Sequence, residues 1–442
     1  MNVMCRYKNL SQLKKNVLSG IILAIFGTIL MLAGYPVYLH FVGVELFGLW
    51  ATVSIVLTLS QFSDLGINDA IIKYTAEEYG RENKEGITEY IVASAYVLVI
   101  PSLVIIALLF LFNSRIVAYL ELKEEVQSKA LRLIPSMGIL TVLIFAVNIV
   151  KGALMGIGRV DISNYIFLCG RFLQITAAVI LMTIGFGVWA LFYGSLVSYI
   201  FLFVVYSCIL VIKYKIKLFG IFSSCREKMK NLITFGGTLF SARILSMVIV
   251  PVNKVFITKY IGLSGVTYYD IALRGAMQLR SLFEIGLKAI MPKVSEIRER
   301  FENAQQRISQ IHAKGIKLIL AGGLPLFLLV FILCPFLLKL WLGNNFNAEI
   351  VIALRYLLFA WFIDLIGIPS FYILMGAGRV KINFFSKAIR FVIHIPLLVI
   401  IANVVKEYSL SHIVLIETIA LAVPVIYLLY NYTLCVKKRE IE

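Results

Sequence analysis

Apolar residues occur along this chain in runs of about twenty, and short polar segments separate the runs. A helix of that length can cross a hydrocarbon core of roughly 30 Å. The pattern predicts an all-α polytopic membrane protein with twelve spans. These spans lie near residues 17–39, 46–63, 90–112, 131–150, 161–182, 188–212, 233–257, 264–290, 316–339, 350–373, 383–403 and 410–434. The first run exceeds the ~7–15 residues of a cleavable signal core, so it is predicted to be retained.

One short phrase occurs twice, as LMGIGRV at 154–160 and as LMGAGRV at 374–380, which is an offset of 220 residues. The phrases DLGI at 64–67 and EIGL at 284–287 keep the same offset. Two matches at one offset predict two six-helix lobes related by an internal repeat. The strand and helix of a phosphate-binding loop are missing around the glycines, so tight loops between spans are the better interpretation. The predicted bounds are 1–212 for the N-terminal lobe, 213–230 for a basic cytoplasmic linker and 231–442 for the C-terminal lobe.

Lysine and arginine are distributed unevenly between the predicted loops. With the N-terminus inside, the inner loops and tails hold 26 of these residues and the outer loops hold six. This bias predicts that both termini are cytoplasmic. The chain is 60% hydrophobic and 15% charged, its mean hydropathy is +0.92, and its formal charge is +18. Basic cytoplasmic loops explain that charge better than nucleic-acid binding does.

Reactive and metal-binding patterns are missing from the sequence. The six cysteines fall in spans or predicted inner loops without the spacing of a disulfide framework or a metal site. No nucleophile–base pair or nucleotide motif is found. We therefore expect no catalytic residue, no metal, no cofactor and no enzyme activity.

Several charges lie where lipid would be expected. Arg171, Arg243 and Arg274 lie ten residues from the nearer end of their predicted spans, which is ~15 Å along a helix, and Arg390 lies seven residues from the start of its span. A basic residue at a span centre costs ~2.5–3.5 kcal/mol on insertion scales, so such groups usually face the bundle interior or a wet cavity. At 100° per residue, one face of the eighth span is polar. That face carries Asp270, Arg274, Gln278, Arg280, Glu284 and Lys288.

Two interpretations of these charges remain open. Interhelical and i, i+4 ion pairs would account for some of them, including Asp270 with Arg274. However, the later spans carry four acids, Asp270, Glu284, Asp364 and Glu417, against eight basic residues from Arg243 onward. This excess favours an anion in a cavity, such as a phosphate, because a guanidinium binds phosphate oxygens through a planar donor fork.

The segments FVGVELFGLWATVSIVLTLSQFSDLGINDAIIKYTAEEYG (41–80) and KGALMGIGRVDISNYIFLCGRFLQI (151–175) resemble polysaccharide repeat-unit flippases. These flippases, which include O-antigen flippases, belong to the multidrug/oligosaccharidyl-lipid/polysaccharide exporter superfamily. The resemblance implies two six-helix lobes around a central cavity that opens alternately to either side. It also implies an oligosaccharide on undecaprenyl pyrophosphate as cargo, moved across the bacterial cytoplasmic membrane. The first span has no arginine or lysine, which departs from some relatives.

The resemblance places the family's cationic cavity at the first, second, seventh and eighth spans. Arg243, Lys254, Arg274 and Arg280 match that pattern and are the predicted pyrophosphate ligands. Secondary candidates are Arg171, Lys387 and Arg390, and candidate carriers of a coupling proton or sodium ion are Asp270, Asp364 and Glu417. The implied partners are the lipid-linked substrate, the membrane, and a polysaccharide polymerase with its assembly proteins, with no nucleic acid.

Two alternative functions remain. A multidrug exporter of the same superfamily would need an acidic cavity for lipophilic cations, whereas these spans are net basic. A membrane polysaccharide polymerase would need sizeable outer loops for its chemistry. The longest predicted outer loop is roughly 113–130, and a solvated amphipathic turn accounts for its glutamates.

Overall fold

The structure is a computed structural model that describes residues 11–58, 66–220, 226–300, 303–405 and 407–438. Within these ranges the side chains of residues 13, 17, 237–244, 246, 292 and 299–300 lie outside the description. The described residues form helices joined by turns, with no strand among them. They separate into two compact units, residues 1–244 and 245–442. The lobe and linker bounds drawn from the repeat stay a prediction.

The described residues of the first unit form eight helices and most of a ninth. The long apolar helices α6 and α8 pack together, and α7 packs between α1 and α8. Its core includes Ile71, Ile91, Phe145, Leu154 and Tyr206, all buried. The helices are α1 (Gln12–Val42), α2 (Val44–Val53), α3 (Ile67–Gly80), α4 (Lys84–Leu111), α5 (Asn113–Tyr119), α6 (Glu124–Gly156), α7 (Val160–Thr183), α8 (Trp189–Cys208, continued by a π turn Ile209–Lys213) and α9 (Arg226–Met247).

The second unit is built around a long central helix, α15, which packs against α11 and α17. Helix α16 packs against α17, and α12 and α13 pack against α15. The helices are α10 (Ile249–Tyr260), α11 (Leu263–Leu287), α12 (Ile290–Arg300), α13 (Ala304–Leu318), α14 (Leu324–Leu342), α15 (Ala348–Gly376), α16 (Val380–Val404) and α17 (Leu410–Lys437). A π turn, Ile319–Gly323, joins α13 to α14.

Nine helical segments among the described residues are long and apolar enough to cross a membrane. They match nine of the twelve predicted spans. The second predicted span begins in α2, and its last residues, 59–63, lie outside the described ranges. The seventh is divided at Val248 between α9 and α10. The eighth predicted span is α11, which is long enough to cross a membrane but carries several charged residues. The all-helical membrane fold is therefore confirmed, although the twelve predicted spans are not equally apolar.

The repeated phrase forms the same turn in each unit. Gly158 and Gly378 both adopt left-handed backbone, with φ of 82° and 76°. The Gly158 N–H donates to the Met155 carbonyl at 3.0 Å, and the Gly378 N–H donates to the Met375 carbonyl at 3.1 Å. A side chain at either glycine would be strained, because L residues rarely adopt this backbone.

The first glycine of each phrase permits a close helix contact. A Cβ atom on Gly156 would lie 2.7 Å from Thr75 of α3, and one on Gly376 would lie 2.6 Å from the Met291 backbone oxygen of α12. Ser295, which is 220 residues after Thr75, donates a hydrogen bond to the Gly376 carbonyl at 3.0 Å. The two copies therefore share both a turn and a packing contact, as an internal repeat predicts.

A buried carboxylate holds the first turn of α9 against α3 and α4. Glu78 is 4% exposed, and Lys228 donates to its Oε1 at 3.1 Å while Asn83 donates to its Oε2 at 2.7 Å. Burial opposes the charge of Glu78, but the hydrogen bonds from Lys228 and Asn83 outweigh it and lower the pKa of the carboxyl. The contact with Glu78 likewise outweighs burial and raises the pKa of Lys228.

We expect Glu78→Gln to destabilise the protein at neutral pH by about 1.5–3 kcal/mol, the usual value of a charge-assisted hydrogen bond. Because the pKa of Glu78 is lowered, its contribution exists above the unfolded pKa and is lost as pH falls through the folded pKa. The melting temperatures of wild type and Glu78→Gln in detergent should therefore converge as pH falls below about 4. Glu77→Gln is the matched control, since its exposed pair with Lys73 at 3.8 Å contributes little. A constant difference in melting temperature across the acid range would contradict this assignment.

Candidate functional site

The predicted site residues of the second unit form three neighbouring groups of charged side chains. The first group is centred on Asp270 of α11. Lys254 of α10 approaches its Oδ1 at 2.6 Å, and the Nε of Arg274, one turn later in α11, donates to its Oδ2 at 2.8 Å. The Lys254 and Asp270 side chains are almost fully buried, whereas the Arg274 side chain is 50% exposed. Arg274 is therefore the accessible member of this group.

The second group is centred on Arg280, whose guanidinium binds two carboxylates. Its Nε donates to Asp364 Oδ2 of α15 and its Nη1 donates to Glu284 Oε2, both at 2.6 Å. The Tyr372 hydroxyl donates to the other Glu284 oxygen at 3.0 Å. The planar fork of arginine suits this double contact, which a lysine could not reproduce with the same geometry.

A cavity of about 100 Å³ lies beside Arg280. Its charged lining consists of Arg280, Glu284, Asp364 and Lys387, so the formal charges of the lining balance. Lys387 lies 5.3 Å above the Phe371 ring and makes no ion pair or hydrogen bond within the described part of the chain. The volume is sufficient for several water molecules, and the charged walls supply the polar partners that buried water requires.

The third group is centred on Glu417 of α17, which is fully buried. Its Oε2 accepts hydrogen bonds from the Tyr269 hydroxyl at 2.7 Å and from Asn253 at 3.2 Å, and Arg390 lies 3.5 Å from its Oε1. His394 Nε2 is 2.6 Å from the Asn253 amide oxygen. Glu417 is thus held by a network that joins α10, α11, α16 and α17.

Trp361 of α15 connects the second and third groups. The Arg280 guanidinium lies 5.2 Å from the Trp361 ring and the Arg390 guanidinium lies 5.6 Å from it, within the range of cation–π attraction. Three buried nitrogens near this junction have no hydrogen-bond partner among the described residues. They are Arg390 Nε, Trp361 Nε1 and His394 Nδ1.

The structure thus brings together Lys254, Asp270 and Arg274, and separately Arg280, Asp364 and Lys387, with Arg390 and Glu417 adjacent. It corrects the expectation that too few acids lie near Arg274 and Arg280, since both pair with carboxylates. Arg243 belongs to α9, but its side chain lies outside the described residues. Arg171 lies in the first unit, at the middle of α7, with its guanidinium 5.2 Å from the Phe167 ring.

Sequence reasoning missed the polar and aromatic partners of these charges. Asn253, His394, Tyr372 and Trp361 were not predicted as site residues. Asn253 lies next to Lys254, and Tyr269 lies next to Asp270, so adjacency to a buried charge was the available signal. Lys151 was counted as a loop residue, but it lies within α6 and is half-buried.

A sequence family described as "Polysaccharide biosynthesis protein" matches residues 40–351 of this chain. The chain belongs to this family. A similar protein of Shigella flexneri, named "Putative O-antigen transporter", is 22% identical over 400 residues, which are 88% of this chain and 90% of that protein. Membership in the polysaccharide biosynthesis family confirms the predicted resemblance.

Two solved structures are similar in fold to this chain. An inward-facing multidrug resistance transporter of the MATE family and MOP superfamily has a TM-score of 0.79 at 17% identity, with 93% of this chain and 94% of that chain covered. The lipid II flippase MurJ in an inward closed conformation has a TM-score of 0.73 at 16% identity, with 95% and 87% covered. At these identities the comparison shows a shared fold alone, and it confirms the predicted fold class.

Proposed function

We propose that this protein is a flippase that moves an undecaprenyl-pyrophosphate-linked oligosaccharide repeat unit across the bacterial cytoplasmic membrane. The observation that carries the proposal is membership in the polysaccharide biosynthesis family, together with likeness to a named O-antigen transporter along most of the chain. The lobes would open alternately to the cytoplasm and the periplasm. The termini would be cytoplasmic, and a polymerase with its assembly proteins would receive the product.

The pyrophosphate would compete with a carboxylate for Arg274. Arg274 is half-exposed and shares Asp270 with Lys254, so an arriving phosphate can take over one guanidinium edge while Lys254 retains Asp270. Arg280 binds two carboxylates and would contact substrate only after giving up one of them. Arg243, whose side chain lies outside the described residues, stays a predicted ligand.

The buried acids Asp270, Asp364 and Glu417 are the proposed carriers of a coupling ion. Protonation of Asp270 would release Arg274 for the pyrophosphate, because a neutral carboxyl no longer attracts the guanidinium. Asp364 lines the cavity beside Arg280 and Lys387, where several water molecules could reach it. Either a proton or a sodium ion would bind to such a carboxylate.

The alternative functions receive less support from these contacts. A drug exporter that binds lipophilic cations needs a carboxylate available to the drug. Each of the four acids of the later spans, Asp270, Glu284, Asp364 and Glu417, already contacts a cation of this protein. The likeness to a protein named as a transporter favours a flippase over a polymerase.

Deletion of the encoding gene, followed by analysis of lipid-linked oligosaccharides, tests the proposal. A flippase defect should trap completed repeat units on the cytoplasmic side, where a membrane-impermeant reagent added to intact spheroplasts cannot reach them. Expression of the intact protein should restore access to the reagent. Units that reach the periplasm but stay unpolymerised would contradict the proposal and indicate a polymerase instead.

A further inference from the structure

The first unit contains a cationic cluster that the charged groups of the second unit do not involve. Two cations from different helices approach one aromatic ring. The Lys151 ammonium of α6 lies 4.4 Å from the centre of the Phe167 ring, and the Arg171 guanidinium of α7 lies 5.2 Å from the same centre. Each distance is within the range of cation–π attraction, so Phe167 holds both cations in one place.

Two tyrosines from two further helices lie within electrostatic range of Arg171. Arg171 interacts electrostatically with Tyr38 of α1 and with Tyr199 of α8, as well as with Lys151. Both tyrosines are half-buried. Residues Tyr38, Lys151, Phe167, Arg171 and Tyr199, which we call the Lys151–Arg171 cluster, therefore combine two positive charges with two O–H groups from four helices.

No carboxylate of the described residues neutralises Lys151. It has no ion pair or hydrogen bond within them, and Arg171 is the charged group that acts on it. Among the described residues of the first unit, the five helices long and apolar enough to cross a membrane carry acids only within their first six residues, namely Glu85, Glu89, Glu124, Glu125 and Asp161. Asp161 is engaged by Arg159 at 3.0 Å and by Gln12 at 2.8 Å.

This arrangement is the opposite of that in the second unit, where each acid of the spans pairs with a cation. Two like charges beside one ring repel each other, and the repulsion is strong where water is scarce. Arg171 lies eleven residues from the start of α7 and is exposed on its helix. An exposed arginine in the middle of a span usually faces a water-filled cavity or other protein residues rather than lipid chains. A bound anion would remove the repulsion and give Lys151 a counterion.

We propose that the Lys151–Arg171 cluster binds the phosphate groups of the lipid-linked substrate. The inference rests on the proposed flippase function and assigns a phosphate site to the first unit, although the first span lacks basic residues. The arginine fork, the ammonium and the tyrosine hydroxyls are all donors, which matches the many acceptor oxygens of a pyrophosphate. Lys151 lies five residues from the end of α6, so the site is within about two helical turns of the loop predicted to be cytoplasmic.

Binding to the full-length protein in nanodiscs of neutral phosphatidylcholine tests the assignment, with fluorescent undecaprenyl pyrophosphate as probe. Lys151→Gln and Arg171→Gln should each weaken binding at least tenfold, since each removes a charge-assisted contact. Arg171→Lys should be intermediate, because it keeps the charge without the fork. Arg115→Gln is the matched control, as Arg115 also lies over an aromatic ring, at 5.7 Å from that of Phe112, but outside the cluster.

Competition experiments identify the ligand group. Inorganic pyrophosphate should displace the probe from wild type, and uncharged undecaprenol should not. Displacement by phosphatidylglycerol in the nanodisc at equal potency would overturn the assignment, because the cluster would then be a general site for anionic lipid.

The outcomes separate this inference from the proposed function. Wild type that fails to bind undecaprenyl pyrophosphate would overturn both. Tight binding by wild type and equally tight binding by a Lys151→Gln/Arg171→Gln double variant would overturn only the assignment of the cluster. Lys151→Arg guards against misfolding, since it keeps the charge; it should melt like wild type and bind within a fewfold of it, and a tenfold loss would count against an electrostatic role.

Discussion

Replacing Arg280 by methionine is expected to destabilise the second unit by about 3–5 kcal/mol, the cost of leaving buried charges without their partner. Both Asp364 and Glu284 depend on this one guanidinium, at 2.6 Å each. The Arg280 side chain is 17% exposed, so little water can replace the lost contacts. The melting temperature of the purified protein in detergent measures the effect, and the yield of folded protein should fall with it.

Arg280→Lys should give an intermediate melting temperature, since an ammonium retains the charge but cannot bind the two carboxylates through one planar fork. Arg274→Met is the comparison within the same helix. Its side chain is half-exposed and has water on one side, so its loss should cost less than that of Arg280. Equal melting temperatures for wild type and Arg280→Met would show that this double pair contributes no net stability.

Arg274→Ala is expected to slow translocation of lipid-linked oligosaccharide ten- to a hundredfold while protein levels stay near normal. The lost charge-assisted contact is worth about 1.5–3 kcal/mol, which corresponds to that factor. Arg274→Lys should rescue transport in part. The rate is measured in proteoliposomes as the appearance of fluorescent substrate in the leaflet that faces a membrane-impermeant quencher.

Arg355→Ala serves as the control for Arg274→Ala. Arg355 is also a cation of the second unit, but it donates to the Phe331 carbonyl at 3.3 Å near a span end and is not part of the three charged groups. Its loss should leave transport unchanged. If Arg274→Ala transports at the wild-type rate, Arg274 has a structural role, and the proposed exchange between Asp270 and pyrophosphate is wrong.

Local sequence patterns predicted the parts of this molecule that depend on neighbours along one helix. The repeated glycine phrase gave the turns at Gly158 and Gly378 because left-handed backbone favours glycine whatever surrounds it. The i, i+4 spacing gave the contact between Asp270 and Arg274.

Contacts between helices could not be predicted in the same way. Arg280 and Asp364 are 84 residues apart, and Arg390 and Glu417 are 27 apart, on different helices in both cases. Periodicity shows which face of a helix is polar, but it does not fix the depth at which two helices meet. The count of acids against bases therefore suggested unpaired cations, although the fold brings each acid to a cation.

The same limit applies to the apolar spans. Hydropathy identified nine of them because their length and composition suffice. Hydropathy predicted one span at residues 233–257, whereas the structure has two helices, α9 and α10, that meet at Val248. A break between two apolar helical turns does not change the composition, so hydropathy cannot detect it. Lys151 was counted with a loop for a related reason, since helix ends cannot be located to within a turn from composition.

Trp361 is an intrinsic fluorophore within the charged groups of the second unit. The chain has four tryptophans, and this one lies beside two guanidinium groups and is 6% exposed. The emission maximum of an indole shifts with the electric field of nearby charges. A rearrangement of Arg280 or Arg390 will therefore shift the emission maximum of Trp361. With the other three indoles replaced by phenylalanine, the transport cycle can be followed in real time without attaching a dye.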